Sequence, residues 1–188
     1  MTQEERKRFT AKFTFKIVVV GNGGVGKSTM IQRLLTGKFI AQKITIGTDL
    51  ASYHLDIEDD EGNSYKVTLQ LWDFAGEKRF RFFLPRYARG AQGCLLCYDI
   101  TRYSSFEELK DWFKIVDENA TEPVYILVGM KKDLEIDKRV VSFDEGQKFL
   151  EEYKIEKFYE TSSLSGENNK EIFETLTREI LKVYRILK

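Results

Sequence analysis

The strongest signal in this 188-residue sequence is Gly21-Asn22-Gly23-Gly24-Val25-Gly26-Lys27-Ser28, a match to the phosphate-binding pattern G-x-x-x-x-G-K-[ST]. The apolar run Phe15 to Val20 precedes it, and a helical pattern begins near Lys27, so the loop has the strand and helix it requires. Glycines let the backbone turn tightly enough for successive N–H groups to point into one hollow. A chance glycine-rich turn is the alternative, but the three fixed positions in this context favour a polyphosphate site.

Two side chains of the loop add chemistry to the backbone hollow. Lys27 supplies a positive charge for β- and γ-phosphates, and Ser28 supplies a hydroxyl oxygen for Mg²⁺. The helix that starts near Lys27 directs the positive end of its dipole toward the same site.

Composition and charge restrict the classes of partner. Lys+Arg and Asp+Glu number 30 each, so no global field recruits nucleic acid or an anionic membrane, and we expect no nucleic-acid partner. The two cysteines, Cys94 and Cys97, share one apolar run, and the chain has one histidine. A redox or zinc Cys-x-x-Cys pair is the alternative, but buried thiols in a reducing compartment fit better, which predicts an intracellular, cytoplasmic protein.

The two ends of the sequence give weaker expectations. No apolar stretch approaches the ~20 residues needed to span a bilayer, and no signal peptide is visible. Residues 1–12 are rich in charge and predict a flexible tail before a single domain over 13–188. The end, Tyr184 to Lys188, has no cysteine and therefore no prenylation signal. We expect no direct lipid anchor, and any membrane association to be peripheral and partner-dependent.

Apolar β-rich runs alternate with helical patterns along the whole chain. This alternation predicts one doubly wound α/β domain, with a six-stranded, mostly parallel sheet and helices on both faces. The turn Asp59-Asp60-Glu61-Gly62-Asn63 separates two strands that we expect to form an antiparallel hairpin at the sheet edge. Capping boxes are predicted at Ser105-x-x-Glu108 and at Ser142-Phe143-Asp144-Glu145.

Three further signals fall where this fold brings loops to the carboxyl ends of the strands. Asp73-Phe74-Ala75-Gly76 offers a carboxylate for Mg²⁺ and a glycine N–H for a γ-phosphate. Thr45 precedes the hairpin and could complete the Mg²⁺ shell through its hydroxyl. In Lys131-Lys132-Asp133, the aspartate can accept hydrogen bonds from both guanine N1–H and the N2 amine, a donor pair that adenine does not present.

Together these residues resemble the Ras superfamily of small GTPases, and within it the Rab family. The resemblance covers the chain from about Phe13 to the end. It is densest in Ile46-Gly47-Thr48-Asp49-Leu50, Leu69-Gln70-Leu71-Trp72-Asp73, Lys78-Arg79-Phe80, Tyr87-Ala88-Arg89-Gly90-Ala91 and Leu96-Cys97-Tyr98-Asp99-Ile100-Thr101.

The resemblance implies a molecular switch that binds GTP and GDP with Mg²⁺ and hydrolyses GTP slowly. It assigns Ser28, Thr45 and Asp73 to the metal, and Lys27, Gly76 and Glu77 to catalysis. The nucleotide would contact Gly23, Gly24, Val25, Gly26, Lys27, Ser28, Thr29, Phe39, Thr45, Gly76, Lys131, Asp133, Ser162 and Ser163.

The same resemblance identifies two switch regions, the loop around Thr45 and residues 76–89, which the γ-phosphate would hold. Exchange factors, GTPase-activating proteins and effectors would bind there, with effectors contacting Leu50, Trp72 and Tyr87. The arginines of the second switch (Arg79, Arg81, Arg86 and Arg89) could act as catalytic fingers, but a solvated or partner-facing set is favoured.

Three positions depart from the family pattern. Glu77 replaces the glutamine that orients the attacking water, and an ionised carboxylate accepts but cannot donate, which predicts slow turnover unless it acts as a general base. Met130 replaces an asparagine that contacts the base, which predicts weaker nucleotide binding. The stretch from Phe39 to Thr45 is one residue short, which leaves the position of Thr45 open. The alternative function is a nucleotide-bound scaffold with little turnover.

Overall fold

The computed structural model describes residues 10–43 and 45–187. Six strands form one sheet: β1 (Thr10–Val20), β2 (Thr48–Glu58), β3 (Ser64–Phe74), β4 (Gly93–Asp99), β5 (Val124–Met130) and β6 (Lys157–Thr161). Their order is β2-β3-β1-β4-β5-β6, and β2 is an edge strand antiparallel to β3. The other neighbours are parallel, so the predicted six-stranded sheet and its antiparallel edge hairpin are confirmed.

Helices connect the strands. They are α1 (Lys27–Thr36), α2 (Leu84–Ala88), α3 (Tyr103–Glu107), α4 (Leu109–Asp117), α5 (Glu135–Lys138), α6 (Phe143–Tyr153) and α7 (Asn169–Val183). Short 3₁₀ segments at Lys78–Phe83 and Lys132–Leu134 precede α2 and α5. None of the helices within residues 10–43 and 45–187 combines the length and the apolar character that crossing a bilayer demands.

Alternation along β1 divides the core between the two faces of the sheet. Ile17 and Val19 belong to the cluster that includes α1 and α7, whereas Val18 and Val20 belong to the cluster that includes α2, α4 and α6. The central strands β4 and β5 are buried along their whole length, as doubly covered parallel strands should be. This packing holds the carboxyl ends of the strands, and the loops that follow them, in fixed positions.

Cys94 and Cys97 are free, fully buried thiols in β4. Burial raises the pKa of Cys97 to about 12, so it stays protonated at neutral pH. The prediction that both cysteines are buried thiols is therefore confirmed.

Two expectations from the sequence need correction. Strand β1 begins at Thr10, so residues 10–12 belong to the sheet rather than to a tail, because β3 offers them parallel partners from Ser64 onward. Residues 1–9 of the predicted tail lie outside the described residues. The capping box at Ser142 and Glu145 is confirmed, but the one at Ser105 and Glu108 is absent.

The capping box at Ser105 is missing for one local and one tertiary reason. Helix α3 already starts at Tyr103, and the buried Ser105 hydroxyl donates to the Arg102 carbonyl oxygen at 2.7 Å. Glu108 instead binds Lys78 and Arg81 from the segment after β3. Ser105 and Glu108 therefore each bind other groups and do not bind each other.

Candidate functional site

A cavity of about 370 Å³ opens at the carboxyl ends of the strands. It brings together segments that are far apart in sequence: the loop after β1, the loop before β2, the end of β3 and the loops after β5 and β6. Its lining includes Gly23, Gly24, Val25, Gly26, Lys27, Ser28, Thr29, Phe39, Ala41, Gln42, Lys43, Thr45, Gly76, Met130, Lys131, Asp133, Leu134, Ser163 and Leu164.

The loop after β1 wraps around the amino group of Lys27. The Lys27 Nζ donates to the carbonyl oxygens of Gly21 at 2.7 Å and Asn22 at 3.1 Å, and the side chain is buried. Burial lowers the pKa of Lys27, while the negative charge of Asp73 raises it. Gly21 has φ 137°, and a Cβ there would lie 2.0 Å from the Cys97 carbonyl oxygen, so only glycine fits against β4.

The three predicted metal ligands meet beside the cavity: Ser28 and Thr45 line it, and Asp73 is buried next to them outside the lining. The Ser28 hydroxyl donates to Asp73 Oδ2 and lies 2.8 Å from Thr45 Oγ1. The other carboxylate oxygen of Asp73 is buried and has no hydrogen-bond partner among the described residues. Burial raises the pKa of Asp73, against the opposing hydrogen bond from Ser28 and the charge of Lys27. The shorter stretch before Thr45 therefore does not carry its hydroxyl away from Ser28.

The loops after β5 and β6 form the far end of the cavity. Lys131 Nζ donates to Asp99 Oδ2 at 2.6 Å, and its backbone adopts a left-handed conformation with φ 65°. Asp133 lines the cavity, while Ser162 does not. The buried Ser162 hydroxyl instead donates to Asp133 Oδ1 at 2.6 Å, so it orients the carboxylate from behind.

Met130 lies between the two ends of the cavity. Its side chain is 1% exposed, and its Cε is 3.3 Å from the position that a Cβ on Gly26 would occupy. An apolar contact therefore joins the end of β5 to the loop after β1.

Gly76 packs directly against the loop after β1. Its carbonyl oxygen accepts a hydrogen bond from the Gly23 N–H at 2.9 Å, and a Cβ on Gly76 would lie 2.1 Å from Gly23 N. Glu77 follows it but does not line the cavity. Its carboxylate pairs with Arg79 at 2.7 Å, with side chains 35% and 68% exposed, respectively.

The expectation of a solvated arginine set is wrong for Arg81. Its side chain is only 15% exposed, binds Glu108 and Asp111, and lies over the ring of Trp112. Asn22 joins this cluster, because its Oδ1 accepts from Trp112 Nε1 at 2.8 Å and from Arg81 at 3.2 Å. Trp112 is fully buried in the core, and its spacing in the sequence gives no sign of this polar contact.

Comparison with known proteins identifies the same pattern along the chain. The family model described as the Ras family matches residues 16–182. The Ras-related protein RAB1BV of Beta vulgaris is 37% identical over 177 residues, which cover 93% of this chain and 80% of that protein. The Ras-related protein SEC4 of Saccharomyces cerevisiae is 43% identical over 167 residues, covering 88% and 74%. The Ras-related protein Rab-8B of Pongo abelii is 38% identical over 174 residues, covering 92% and 81%.

Proposed function

Because this chain belongs to the Ras family and is a Rab-like small GTPase, we propose that the cavity beside Lys27 holds its guanine nucleotide and a Mg²⁺ ion. The observation that carries the proposal is the convergence of Lys27, Thr45, Gly76 and Asp133 on one cavity from four separate segments. The alternative of a scaffold without turnover is not favoured by the family to which the chain belongs.

The polyphosphate would lie in the loop from Gly23 to Thr29. Apart from the Gly23 N–H, which donates to the Gly76 carbonyl, the backbone N–H groups of this loop and of the start of α1 can donate to phosphate oxygens. The positive end of the α1 dipole lies at the same place, and Lys27 adds a full charge. Gly21 and Asn22 hold the amino group of Lys27 with two carbonyl oxygens, which fixes its position at the loop. In this arrangement the protein stabilises the charge of the transferred phosphoryl group mainly by positioning.

The Ser28, Thr45 and Asp73 oxygens fit a Mg²⁺ ion. Mg²⁺ prefers oxygen ligands, and the orphaned Asp73 Oδ1 is a buried acceptor that a cation or one of its waters would satisfy. When bound, the ion would neutralise negative charge on the phosphates. The hydroxyls of Ser28 and Thr45 hold each other and Asp73 in place for it.

Guanine would be read at the far end of the cavity. Asp133 offers two carboxylate oxygens to the N1–H and N2 amine, and Ser162 fixes the carboxylate in one orientation. We assign Phe39 to the edge of the base, Lys131 to its face and the Ser163 N–H to its carbonyl, all of which line the cavity.

Turnover by the chain alone would be slow. Glu77 cannot donate to an attacking water when ionised, and its carboxylate is engaged by Arg79 outside the cavity lining. A GTPase-activating protein would supply the missing group. The switch segments would present different surfaces to exchange factors and effectors with GTP and with GDP, in membrane trafficking or signalling.

The test is the nucleotide that the purified protein carries. We expect chromatography of the denatured native protein to release guanine nucleotide, and single-turnover hydrolysis of loaded GTP to be slow and Mg²⁺-dependent. Lys27→Met is the binding-defective comparison, because it removes the charge but keeps much of the chain length. Adenine nucleotide in the purified protein, or equal affinity for ADP and GDP, would contradict the assignment of Asp133.

A further inference from the structure

The Arg102 guanidinium contacts the phosphate-binding loop from outside the cavity. Arg102 lies between β4 and α3, where its backbone N–H donates to the Asp99 carbonyl at 3.0 Å and its own carbonyl accepts from the Ser105 hydroxyl at 2.7 Å. This fixed backbone directs the side chain to the loop, and Arg102 Nη2 donates to the Gly23 carbonyl oxygen at 2.7 Å. Arg102 does not line the cavity.

The charge of Arg102 has no acidic counterpart in the described part of the chain. Arg81 and Arg139, which are similarly half-buried, each bind two carboxylates, whereas no ion pair is formed by Arg102 within residues 10–43 and 45–187. Its Nε is buried and lacks a hydrogen-bond acceptor there. A partly buried, unpaired cation is costly, so a structural role alone gives a poor account of it.

The contact acts on a peptide unit that faces the cavity. The Gly23 C=O and the Gly24 N–H belong to one planar trans peptide, so they point in opposite directions. Since Arg102 holds the carbonyl on the outer side of the loop, the N–H is directed toward the cavity that both glycines line. Glycines flank this peptide on both sides, and Gly24 has φ 74°, so little else prevents it from rotating.

We propose that Arg102 is a positioning residue for the polyphosphate, which holds the Gly24 N–H toward the β- and γ-phosphates through its hydrogen bond to the Gly23 carbonyl. A charged donor on the carbonyl also polarises the peptide and strengthens its N–H as a donor. Arg102 Nη1 lies 3.8 Å from the position of a Cβ on Gly24, so its charge acts near the same point. This inference rests on the proposed nucleotide site and refines it.

The electrostatic environment of Lys27 agrees with this position. Burial is the main reason that the pKa of Lys27 is lowered, and the positive charge of Arg102 lowers it further. The positive charges of Lys27 and Arg102 therefore repel each other at the loop. A bound phosphate would offset this repulsion.

The experiment compares GMP, GDP and GTP binding by calorimetry to the native protein and to Arg102→Met. Loss of one charge-assisted hydrogen bond should lower the affinities for GDP and GTP about tenfold. GMP binding should not change, because its single phosphate does not reach the Gly24 N–H. Phosphorus NMR should show a displaced β-phosphate resonance of bound GDP and an unchanged α-phosphate resonance.

Arg178→Met is the matched control. Arg178 also donates one hydrogen bond to a backbone carbonyl, that of Glu58 at 3.2 Å, but it is exposed and on α7. It should leave the affinities and the NMR spectrum unchanged. Arg102→Lys keeps the charge and should lower the affinity for GDP less than Arg102→Met does. If Arg102→Met does not fold, Arg102→Lys is used instead to compare GDP binding with GMP binding.

Two results would overturn the inference. One is unchanged GDP and GTP affinity in the Arg102 variants, and the other is an equal loss for GMP, which would indicate general damage to the loop. Failure of the native protein to bind any of the three nucleotides would instead refute the proposed function.

Discussion

Replacing Met130 with asparagine should slow nucleotide release while it destabilises the nucleotide-free protein. The two effects have different origins in the structure. The Met130 side chain is 1% exposed and belongs to the apolar cluster that includes Val25, so shortening it to a polar group leaves a gap in the core. The same position lines the cavity, where an amide could bond to the base and to the loop after β1.

The magnitudes follow from these contacts. Truncation of a buried methionine to alanine costs about 2–5 kcal/mol, and we take this range as the scale for Met130→Asn. For a chain of this length, each kcal/mol lowers Tm by about 2–4 °C, so Tm of the nucleotide-free protein should fall by roughly 4–20 °C. A new hydrogen bond contributes about 0.5–1.5 kcal/mol, which corresponds to GDP release slowed by roughly three- to tenfold.

Release of a fluorescent GDP analogue and thermal unfolding with and without nucleotide measure both effects. Met130→Leu is the control, because it keeps the apolar burial and adds no polar group, and it should change the release rate little. Unchanged or faster release from Met130→Asn would refute the hydrogen-bond argument and show that the contact with Gly26 compensates for the missing amide. Equal slowing by Met130→Leu would refute it as well.

Variants at three other residues test separate parts of the molecule. Asp133→Asn should shift preference from guanine toward xanthine nucleotides in competition binding, because the amide can donate to the extra base carbonyl; unchanged guanine preference would count against the assignment. Glu77→Gln should raise single-turnover GTP hydrolysis and Glu77→Ala should not exceed it, whereas slowing by both would indicate a general base. Burial alone would raise the pKa of Glu108, but Lys78 and Arg81 outweigh it and hold that pKa low. Its stabilisation is therefore present above the ordinary glutamate pKa and is lost as pH falls through the lowered value, and Glu108→Gln should flatten that acid limb of a Tm curve. An acid limb of the same steepness in Glu108→Gln would contradict the assignment.

The contacts between distant residues show what local patterns leave undetermined. Ser105 and Glu108 have the spacing of a capping box, yet Ser105 donates to the nearby Arg102 carbonyl, and Glu108 pairs with Arg81 from a distant segment. Ser162 has the right position for a nucleotide contact, but its hydroxyl lies behind Asp133. The partners of Glu108 and Ser162 depend on which groups the fold brings within hydrogen-bonding distance. Spacing in the sequence does not contain that information.

The amino-acid sequence by itself determined the phosphate loop, the alternation of strands and helices and the antiparallel edge, because these depend on neighbouring residues and on short periods. It also located Thr45, Asp73, Gly76 and Asp133 as separate signals. Only the tertiary structure decided that Arg102 reaches Gly23 across 79 positions and that Trp112 reaches Asn22 across 90. The physical reason is that a hydrogen bond tolerates only a few tenths of an ångström of deviation from its preferred donor–acceptor distance. The packed sheet and helices set that distance, and the order of residues does not.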